Sequence, residues 1–124
     1  MLHSKTILVV DDKGINRLLP GLILRPFGWA VHEVDSGLAV LEALKSLSVD
    51  CVLLDISMPE ISGLDVLQLI RKSDEFHDLT VVAYTAYATP EDAHHLVEQG
   101  FDAVLIKPLT SRKLLDILNE VNAS

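Results

Sequence analysis

The chain has 124 residues, 49% hydrophobic and 23% charged, a balance typical of a globular domain and unlike that of a disordered tail. Acidic residues outnumber basic ones by 18 to 10, and the net charge of -8 argues against direct binding of DNA or RNA. No apolar run approaches the roughly 20 residues that cross a bilayer, and the apolar stretch in the first ten residues is shorter than we expect of a secretion signal. We therefore expect one cytoplasmic domain over residues 1–124, with its core at about 6–121 and no membrane contact.

The first predicted strand, residues 6–10, is a β-rich apolar run that ends directly before Asp11 and Asp12. A helix is predicted over residues 13–27, with Asp12 as its N-cap. Pro20 falls inside this helix, where a proline costs about 3 kcal/mol or more because it removes a backbone hydrogen bond. We expect a kink or an early end there.

The helical spacing of this segment divides its side chains between two faces. The side chains predicted to lie against the sheet are Leu19, Ile23 and Phe27. Steps of about 100° per residue place four others outside, namely Leu18, Gly21, Leu22 and Arg25. Leu18 and Leu22 would then form an exposed apolar pair.

A second strand is predicted over residues 30–34, followed by a helix over 37–47 whose inner stripe carries Leu38, Leu41 and Leu44. The next apolar run, residues 51–54, is continuous, which is typical of a strand buried on both faces. Cys51 within it is predicted to be a buried structural thiol. This strand stops at Asp55, before a turn-forming segment.

The second half of the chain continues the alternation. A helix over 63–72 with Leu64, Leu67 and Ile70 inside precedes a strand over 80–85 that ends in the hydroxyl of Thr85. The next helix starts at Thr89 and Pro90, a cap residue followed by proline in the first turn, and ends at Gly100. A last strand over 103–107 and a helix over 111–122 complete five strand–helix pairs. Such alternation predicts a parallel sheet covered on both faces.

Polar residues follow four of these strands at the same end of the sheet. They are Asp11 and Asp12, Asp55, Thr85 and Lys107. If the strands are neighbours, about 4.8 Å apart, three carboxylates crowd one pocket and raise at least one pKa unless a cation is supplied. Mg²⁺ prefers such oxygen ligands, and an ammonium and a hydroxyl suit phosphoryl oxygens. The set describes a phosphoryl-transfer site with an aspartate nucleophile.

Several motifs together resemble the receiver domain of two-component response regulators, over about residues 6–121. They are VVDD (9–12) with Asn16 and Arg17, LLDISMPEISG (53–63), YTA (84–86) and IKP (106–108). The resemblance implies an α/β, flavodoxin-like fold: a five-stranded parallel sheet of order 2-1-3-4-5, doubly wound with five helices. The switch point between strands one and three then lies beside Asp55.

The same resemblance implies the chemistry. Asp55 would accept a phosphoryl group from a phosphohistidine on a histidine kinase or histidine phosphotransfer protein, without turnover of a separate substrate. Mg²⁺, with Mn²⁺ as a substitute, would be held by Asp12, Asp55, the Ser57 carbonyl and, through water, Asp11. The phosphoryl oxygens would be bound by Lys107, Thr85 and the Ala86 N–H. Lys107–Pro108 is expected to be a cis peptide.

Two further positions bear on output and turnover. The family usually has an aromatic residue three positions before the strand-five lysine, and here that position is Val104, so an aromatic-rotamer switch is not expected. Tyr87 stands at a position whose side chain, in this family, lies over the phosphoryl group. Its ring is predicted to obstruct attacking water. The docking surface implied for the phosphodonor comprises Leu18 and Leu22 with the loop at Pro108.

Two other functional classes remain as alternatives. An aspartyl-phosphate phosphatase of the haloacid dehalogenase type needs a second Asp two residues after the nucleophile, where this chain has Ser57. A pseudo-receiver would keep the fold as a protein-interaction module without the chemistry. Val104 leaves this alternative open, although the chemistry would be complete with Asp11, Asp12, Asp55, Thr85 and Lys107. Both a stand-alone regulator and a segment of a larger hybrid kinase are compatible with this sequence.

Overall fold

The computed structural model of the protein describes residues 5–86 and 89–121. Its strands are Thr6–Val10 (β1), Ala30–Val34 (β2), Cys51–Asp55 (β3), Thr80–Thr85 (β4) and Ala103–Ile106 (β5). Its α-helices are Gly14–Leu24 (α1), Val40–Ser46 (α2), Gly63–Lys72 (α3), Pro90–Gln99 (α4) and Ser111–Glu120 (α5). Short 3₁₀ turns occupy Arg25–Phe27 and Gly37–Ala39. Within these ranges, no helix has the length and apolar character needed to span a membrane.

The strands form one parallel sheet in the order β2-β1-β3-β4-β5, so the predicted fold is confirmed. β1 lies beside β3, with Val10 opposite Leu54, although the two strands are far apart in sequence. Asp55 lies opposite Tyr84 of β4. The carboxyl ends of the three central strands therefore meet at one edge of the sheet, where the polar residues were expected to converge.

Helices cover both faces of the sheet and make two core layers. The layer beneath α1 and α5 is built from Ile7, Val9, Leu24, Trp29, Val31, Cys51, Leu53, Val82, Tyr84, Ala103, Leu105, Leu114 and Leu118. The layer beneath α2, α3 and α4 is built from Leu8, Val10, Val40, Leu44, Val52, Leu54, Val66, Leu67, Ile70, Val81, Ala83, Leu96 and Phe101. Successive residues of a strand alternate between the layers, which explains why both faces of β1, β3 and β4 carry mostly apolar side chains between their ends.

The first helix departs from its predicted course. It continues through Pro20 for four more residues and ends at Leu24, so the expected early end at Pro20 is wrong. Pro26 follows two residues later, and it has no N–H with which to continue the α-helical hydrogen bonds. A 3₁₀ turn follows and stops at Gly28, whose φ of 90° is readily adopted only by glycine.

Three predictions of which residues are buried and which are exposed are also wrong. Phe27 is 65% exposed and Leu38 63% exposed, because both lie in 3₁₀ turns, whose three-residue repeat does not follow the α-helical stripe. Gly21 is buried rather than exposed. The Arg25 guanidinium folds back over it and donates to the Val31 carbonyl oxygen at 2.9 Å. A larger residue at position 21 would displace that side chain.

Two other local predictions are confirmed, and the end of one strand differs by a residue. Thr89 caps α4, its hydroxyl accepting from the Asp92 N–H at 3.1 Å while the Asp92 carboxylate accepts from the Thr89 N–H at 3.1 Å. Cys51 is fully buried, and burial raises the pKa of its thiol to about 12, as expected of an inert structural cysteine. Strand β5 ends at Ile106, one residue earlier than predicted.

Trp29 lies at the opposite end of the sheet from these carboxyl ends. It directly precedes β2, and its backbone N–H donates to the Leu24 carbonyl oxygen at 3.3 Å. Its side chain is 9% exposed and belongs to the core layer beneath α1 and α5.

Candidate functional site

Two of the predicted acids lie side by side at the carboxyl edge of the sheet. Asp11 follows β1 and is fully buried, and Asp55 ends β3 and is 4% exposed. The strand alternation that places Val9 and Leu53 beneath α1 and α5 brings the two carboxylates to that same face. A buried pair of like charges is costly unless a positive group approaches.

Lys107 provides that positive group in the structure. Its Nζ lies 3.0 Å from Asp11 Oδ2 and 3.4 Å from Asp55 Oδ1. Its own N–H donates to the Thr85 carbonyl oxygen at 2.8 Å, which continues the β4–β5 ladder beyond the end of the strand. The peptide bond from Lys107 to Pro108 is cis, as predicted. The lysine thus reaches across β4 to the acids of β1 and β3.

The crowding of charges affects the pKa of the Asp55 carboxyl. Burial and, next, the charge of Asp11 raise its pKa above the usual range, while Lys107 and the Ser57 N–H act in the opposite direction. The Ser57 N–H donates to Asp55 Oδ1 at 3.3 Å. A raised pKa was predicted for at least one acid of the cluster, and at Asp55 burial contributes more to it than the charge of Asp11.

Asp12 completes a group of three carboxylates that could hold a metal ion. One oxygen each from Asp11, Asp12 and Asp55 lies within 4.8 Å of the others. Asp12 Oδ1 is buried and has no hydrogen-bond partner among residues 5–86 and 89–121. The Lys13 ammonium is 3.9 Å from that oxygen, which is too long for a hydrogen bond. The donor set and the unpaired oxygen fit a hard divalent cation such as Mg²⁺.

Asp12 does not cap α1, contrary to expectation. The N-cap position is Lys13, and no side chain bonds to the helix terminus from there. Asp11 Oδ1 instead accepts from the Lys13 N–H at 2.9 Å. The carboxylate of Asp12 is thereby left available to the acid cluster.

A pocket of about 270 Å³ opens beside Asp55. Five predicted site residues line it, namely Asp55, Ser57, Thr85, Ala86 and Lys107. Lys13 and Asn16 also line it; Asn16 was named only as part of a motif, and Lys13 was not predicted to belong to the site. The predicted nucleophile and the predicted phosphoryl-binding groups therefore share one cavity.

The turn that follows Asp55 depends on a close backbone approach. Gly63, the first residue of α3, donates its N–H to the Ile56 carbonyl oxygen at 2.9 Å. A Cβ at this position would collide with the Asp55 carbonyl oxygen. Ser62 caps the helix, its hydroxyl accepting from the Asp65 N–H at 3.2 Å. Glycine at 63 lets α3 start directly above the end of β3.

Arg17 has a structural role that its place in the motif did not reveal. Its guanidinium donates to the Asp11 carbonyl oxygen at 2.8 Å and lies 3.5 Å from the Glu33 carboxylate of β2. The contact holds the turn that presents both acids of the first strand. An arginine six residues after a strand-end acid is the sequence signal for this contact.

Tyr84 is a second feature that sequence reasoning missed. Its side chain is fully buried, and Lys107 Nζ lies 4.7 Å from its ring centroid. Burial, then Asp11 and Asp55, raises the pKa of its phenol to about 12. A tyrosine inside an apolar run suggests only core, so the signal is its register opposite Asp55.

The remaining predicted residues lie outside the pocket or outside the described ranges. Val104 is partly buried against the core layer of α2, α3 and α4, and Pro108 is exposed. Leu18 and Leu22 are 44% and 61% exposed on α1, as predicted. Tyr87 falls outside the described residues, so its proposed shielding stays a prediction.

Comparison with known proteins identifies the family. The model of the response regulator receiver domain matches residues 7–119. The CAI-1 autoinducer sensor kinase/phosphatase CqsS of Vibrio cholerae serotype O1 is 32% identical over 115 residues, which are 92% of this chain but only 17% of that protein. The polar-differentiation response regulator DivK of Brucella ovis is 27% identical over 93% of this chain and 94% of its own length.

The fold has close counterparts among solved structures. The chemotaxis protein CheY4 of Vibrio cholerae superposes with a TM-score of 0.88 over 96% of this chain and 99% of that one, at 23% identity. The family match, the strand order and the acid cluster agree. The chain belongs to the family of response regulator receiver domains of two-component signalling.

Proposed function

We propose that this receiver domain accepts a phosphoryl group on Asp55 from a phosphohistidine, in a reaction that requires Mg²⁺. One observation carries the proposal: the Lys107 ammonium lies within 3.0 and 3.4 Å of Asp11 and Asp55, beside a pocket lined by Thr85 and Ala86. These groups lie at the ends of four strands, β1, β3, β4 and β5, and converge only through the fold. Their combination suits an anionic group that must be attacked by a carboxylate.

Asp55 is the nucleophile in this proposal. Its carboxylate oxygen forms a new P–O bond as the P–N bond to the donor imidazole breaks, and the departing nitrogen keeps the electron pair and takes up a proton. The Ser57 N–H and the Lys107 ammonium orient the carboxylate through its Oδ1. Little covalent work is needed from other side chains, because phosphoryl transfer depends mainly on alignment and charge neutralisation.

Asp12, Asp55 and the Ser57 carbonyl would hold Mg²⁺, with Asp11 acting through water. Bound there, the ion would supply the positive charge that three carboxylates and an incoming phosphoryl group require. The unpaired Asp12 Oδ1 supports this assignment. Lys107, the Thr85 hydroxyl and the Ala86 N–H would then contact the phosphoryl oxygens.

The donor in this proposal is a histidine kinase or a histidine phosphotransfer protein. Transfer to Asp55 and slow hydrolysis of the acyl phosphate are the only reactions proposed, and no separate substrate is turned over. The phosphorylated domain would then change its interactions with a downstream protein. Val104 offers no aromatic ring to swing inward, so that change would not use an aromatic-rotamer switch at this position.

Intact mass after incubation with Mg²⁺ and acetyl phosphate tests the proposal. We expect the wild type to gain one phosphoryl group that hydrolyses on standing. The exposed Asp116→Asn variant, a matched carboxylate-to-amide control, should gain it equally. Asp55→Asn should not, and Asp12→Asn should bind Mg²⁺ at least about tenfold more weakly in calorimetric titration, since one ligand charge is lost.

The same experiment separates the alternatives. Steady release of phosphate from phosphate esters would identify a phosphatase. The absence of both a mass gain and phosphate-ester turnover would identify an interaction module. Equal Mg²⁺ affinity in the wild type, Asp12→Asn and Asp55→Asn would contradict the metal assignment.

A further inference from the structure

The aromatic ring of Tyr84 lies beneath the ammonium of Lys107, and the proposed reaction does not use it. The side chain is fully buried, and its hydroxyl has no hydrogen-bond partner within the described ranges. Lys107 Nζ is 4.7 Å from the ring centroid. The part of Tyr84 that contacts a functional group is therefore its ring and not its polar end.

The sheet register explains how the ring comes to lie there. Tyr84 is the β4 partner of Asp55 and of Leu105 in β5, and partners in parallel strands project to the same face. Lys107 follows Leu105 by two residues and therefore returns to that face. Its side chain then extends back across the row toward Asp11 and Asp55. The ring forms the floor under this path.

The ammonium thus has three attractive neighbours. Two carboxylates lie 3.0 and 3.4 Å from it, and the ring face lies at 4.7 Å. A lysine side chain has a flexible four-carbon stem, so carboxylates alone leave its direction loosely defined. A ring attracts a cation through its quadrupole, most strongly where water is excluded, and it also fills the space into which the ammonium could retreat.

We propose that Tyr84 is a positioning residue whose ring holds the Lys107 ammonium ready for an anionic phosphoryl group. It acts through Lys107 and not by binding the phosphoryl group itself. This inference rests on the proposed function and deepens it. Orienting the cation in advance lowers the cost of anion binding, since no side chain must be ordered when the anion arrives.

Two substitutions distinguish a ring contact from simple core filling. Tyr84→Phe keeps the ring and removes the unpaired hydroxyl, whereas Tyr84→Leu keeps an apolar side chain and removes the ring. Two affinities are measured by calorimetry for each folded variant: that for Mg²⁺ alone, and that for beryllofluoride, a tetrahedral phosphoryl analogue, at saturating Mg²⁺. A positioning role affects the second affinity much more than the first, because Lys107 binds the anion directly and only neighbours the metal ligands Asp11 and Asp55.

We expect Tyr84→Leu to weaken beryllofluoride binding by roughly tenfold, the size of one desolvated cation–ring contact, and to change Mg²⁺ binding far less. Tyr84→Phe should match the wild type in both. An unchanged beryllofluoride affinity in Tyr84→Leu would overturn the inference. So would equal weakening of both ligands, which indicates a loosened site, or a Tyr84→Phe variant that behaves like Tyr84→Leu.

A spectroscopic measurement covers the case in which Tyr84→Leu does not fold. Near-ultraviolet absorption of Lys107→Met is compared with that of the wild type, and the comparison is repeated with Tyr84→Phe in both proteins. We expect a shifted tyrosine band in the first comparison and none in the second. Absence of the shift would overturn the inference. This result does not depend on phosphorylation, so failure of the wild type to be phosphorylated on Asp55 would count against the proposed function alone.

Discussion

Asp55 carries its negative charge in an unfavourable setting, because it is nearly buried and faces Asp11. Its raised pKa means that the folded protein binds this proton more tightly than the unfolded chain does. The associated stability is fully present below the pKa of the unfolded chain. It is lost as the pH rises through the pKa of folded Asp55.

Asp55→Asn should therefore unfold at a higher temperature than the wild type at neutral pH without divalent cations. The difference should narrow as the pH falls toward about 3.9, the ordinary pKa of aspartic acid, where the wild-type carboxyl is protonated too. Thermal unfolding followed by circular dichroism over a pH series measures this. The exposed Asp116→Asn variant serves as control. A difference that is missing at neutral pH, or that widens in acid, would contradict the assignment.

The acids and the lysine of the site were predictable because each directly follows an apolar strand. Tyr84 was not, because a tyrosine within such a run is indistinguishable from ordinary core until the strand register is known. Arg17 was visible only as part of a motif. Its contact with the Asp11 carbonyl depends on how α1 leaves the sheet, which side-chain periodicity does not define.

At the scale of elements, strands were predicted more accurately than helices. Residues 80–85 were predicted as a strand, and β4 has those bounds, because a strand buried on both faces is a continuous apolar run with clear ends. The helical stripes placed Phe27 and Leu38 inside, yet both are exposed. The reason is the change from α to 3₁₀ geometry, which a wheel of constant step does not include.

Gly63 joins β3 to α3 at a distance that excludes a side chain. Gly63→Ala should lower the free energy of unfolding by roughly 1–3 kcal/mol, because the new methyl group meets the Asp55 carbonyl oxygen and the Ile56 Cα, and backbone must move. Gly14→Ala is the matched control, since its Cβ would meet only Arg17 Nη2 at 3.7 Å and alanine favours a helix. Urea unfolding compares the two. Equal effects would show that the close approach does not constrain this turn.

Helix α1 carries the exposed pair Leu18 and Leu22, and Ile15, 62% exposed, extends it by one turn. Burial of two leucines against a partner is worth roughly 3–6 kcal/mol before the cost of association. The pair therefore suits the proposed docking of a helical phosphodonor protein, together with the loop at Pro108. Its exposure was predicted from the sequence and is confirmed.

Leu18→Lys combined with Leu22→Glu should leave phosphorylation by acetyl phosphate unchanged and slow transfer from the cognate histidine protein by at least about tenfold, the equivalent of 1.4 kcal/mol. Leu69→Lys on α3 provides a control, because Leu69 has the same 44% exposure as Leu18. Transfer at the wild-type rate by a folded double variant would exclude α1 as the docking surface.

At the scale of the whole molecule, the two ends of the sheet have different tasks. The carboxyl end carries the acid cluster, and the amino end is tied together by Arg71. The guanidinium of Arg71 donates to the carbonyl oxygens of Gly100, His77 and Leu79 at 2.6–3.1 Å. It also contacts Asp102 Oδ2 at 3.0 Å. One side chain of α3 thus joins the segments that lead into β4 and β5.

Arg71→Met should lower the free energy of unfolding by roughly 2–4 kcal/mol, because several carbonyl groups and one carboxylate lose a charged donor together. Arg71→Lys should recover only part of this, since an ammonium cannot reproduce the planar fork. Arg112→Met, at an exposed position, is the control. Phosphorylation of the folded variants should proceed at the wild-type rate. A selective loss of phosphorylation would mean that the two ends are coupled.

The position of Trp29 makes its fluorescence a measure of core unfolding that is independent of ligand binding at the pocket. It is the only tryptophan in the chain, and it is buried at the end of the sheet remote from Asp55. Its emission should therefore shift when the core opens to water and stay constant when a cation or phosphodonor occupies the pocket. Denaturation of every variant above can be followed through this one signal with ligands present. Quenching of its emission by Mg²⁺ in the folded protein would reveal a change that crosses the whole sheet.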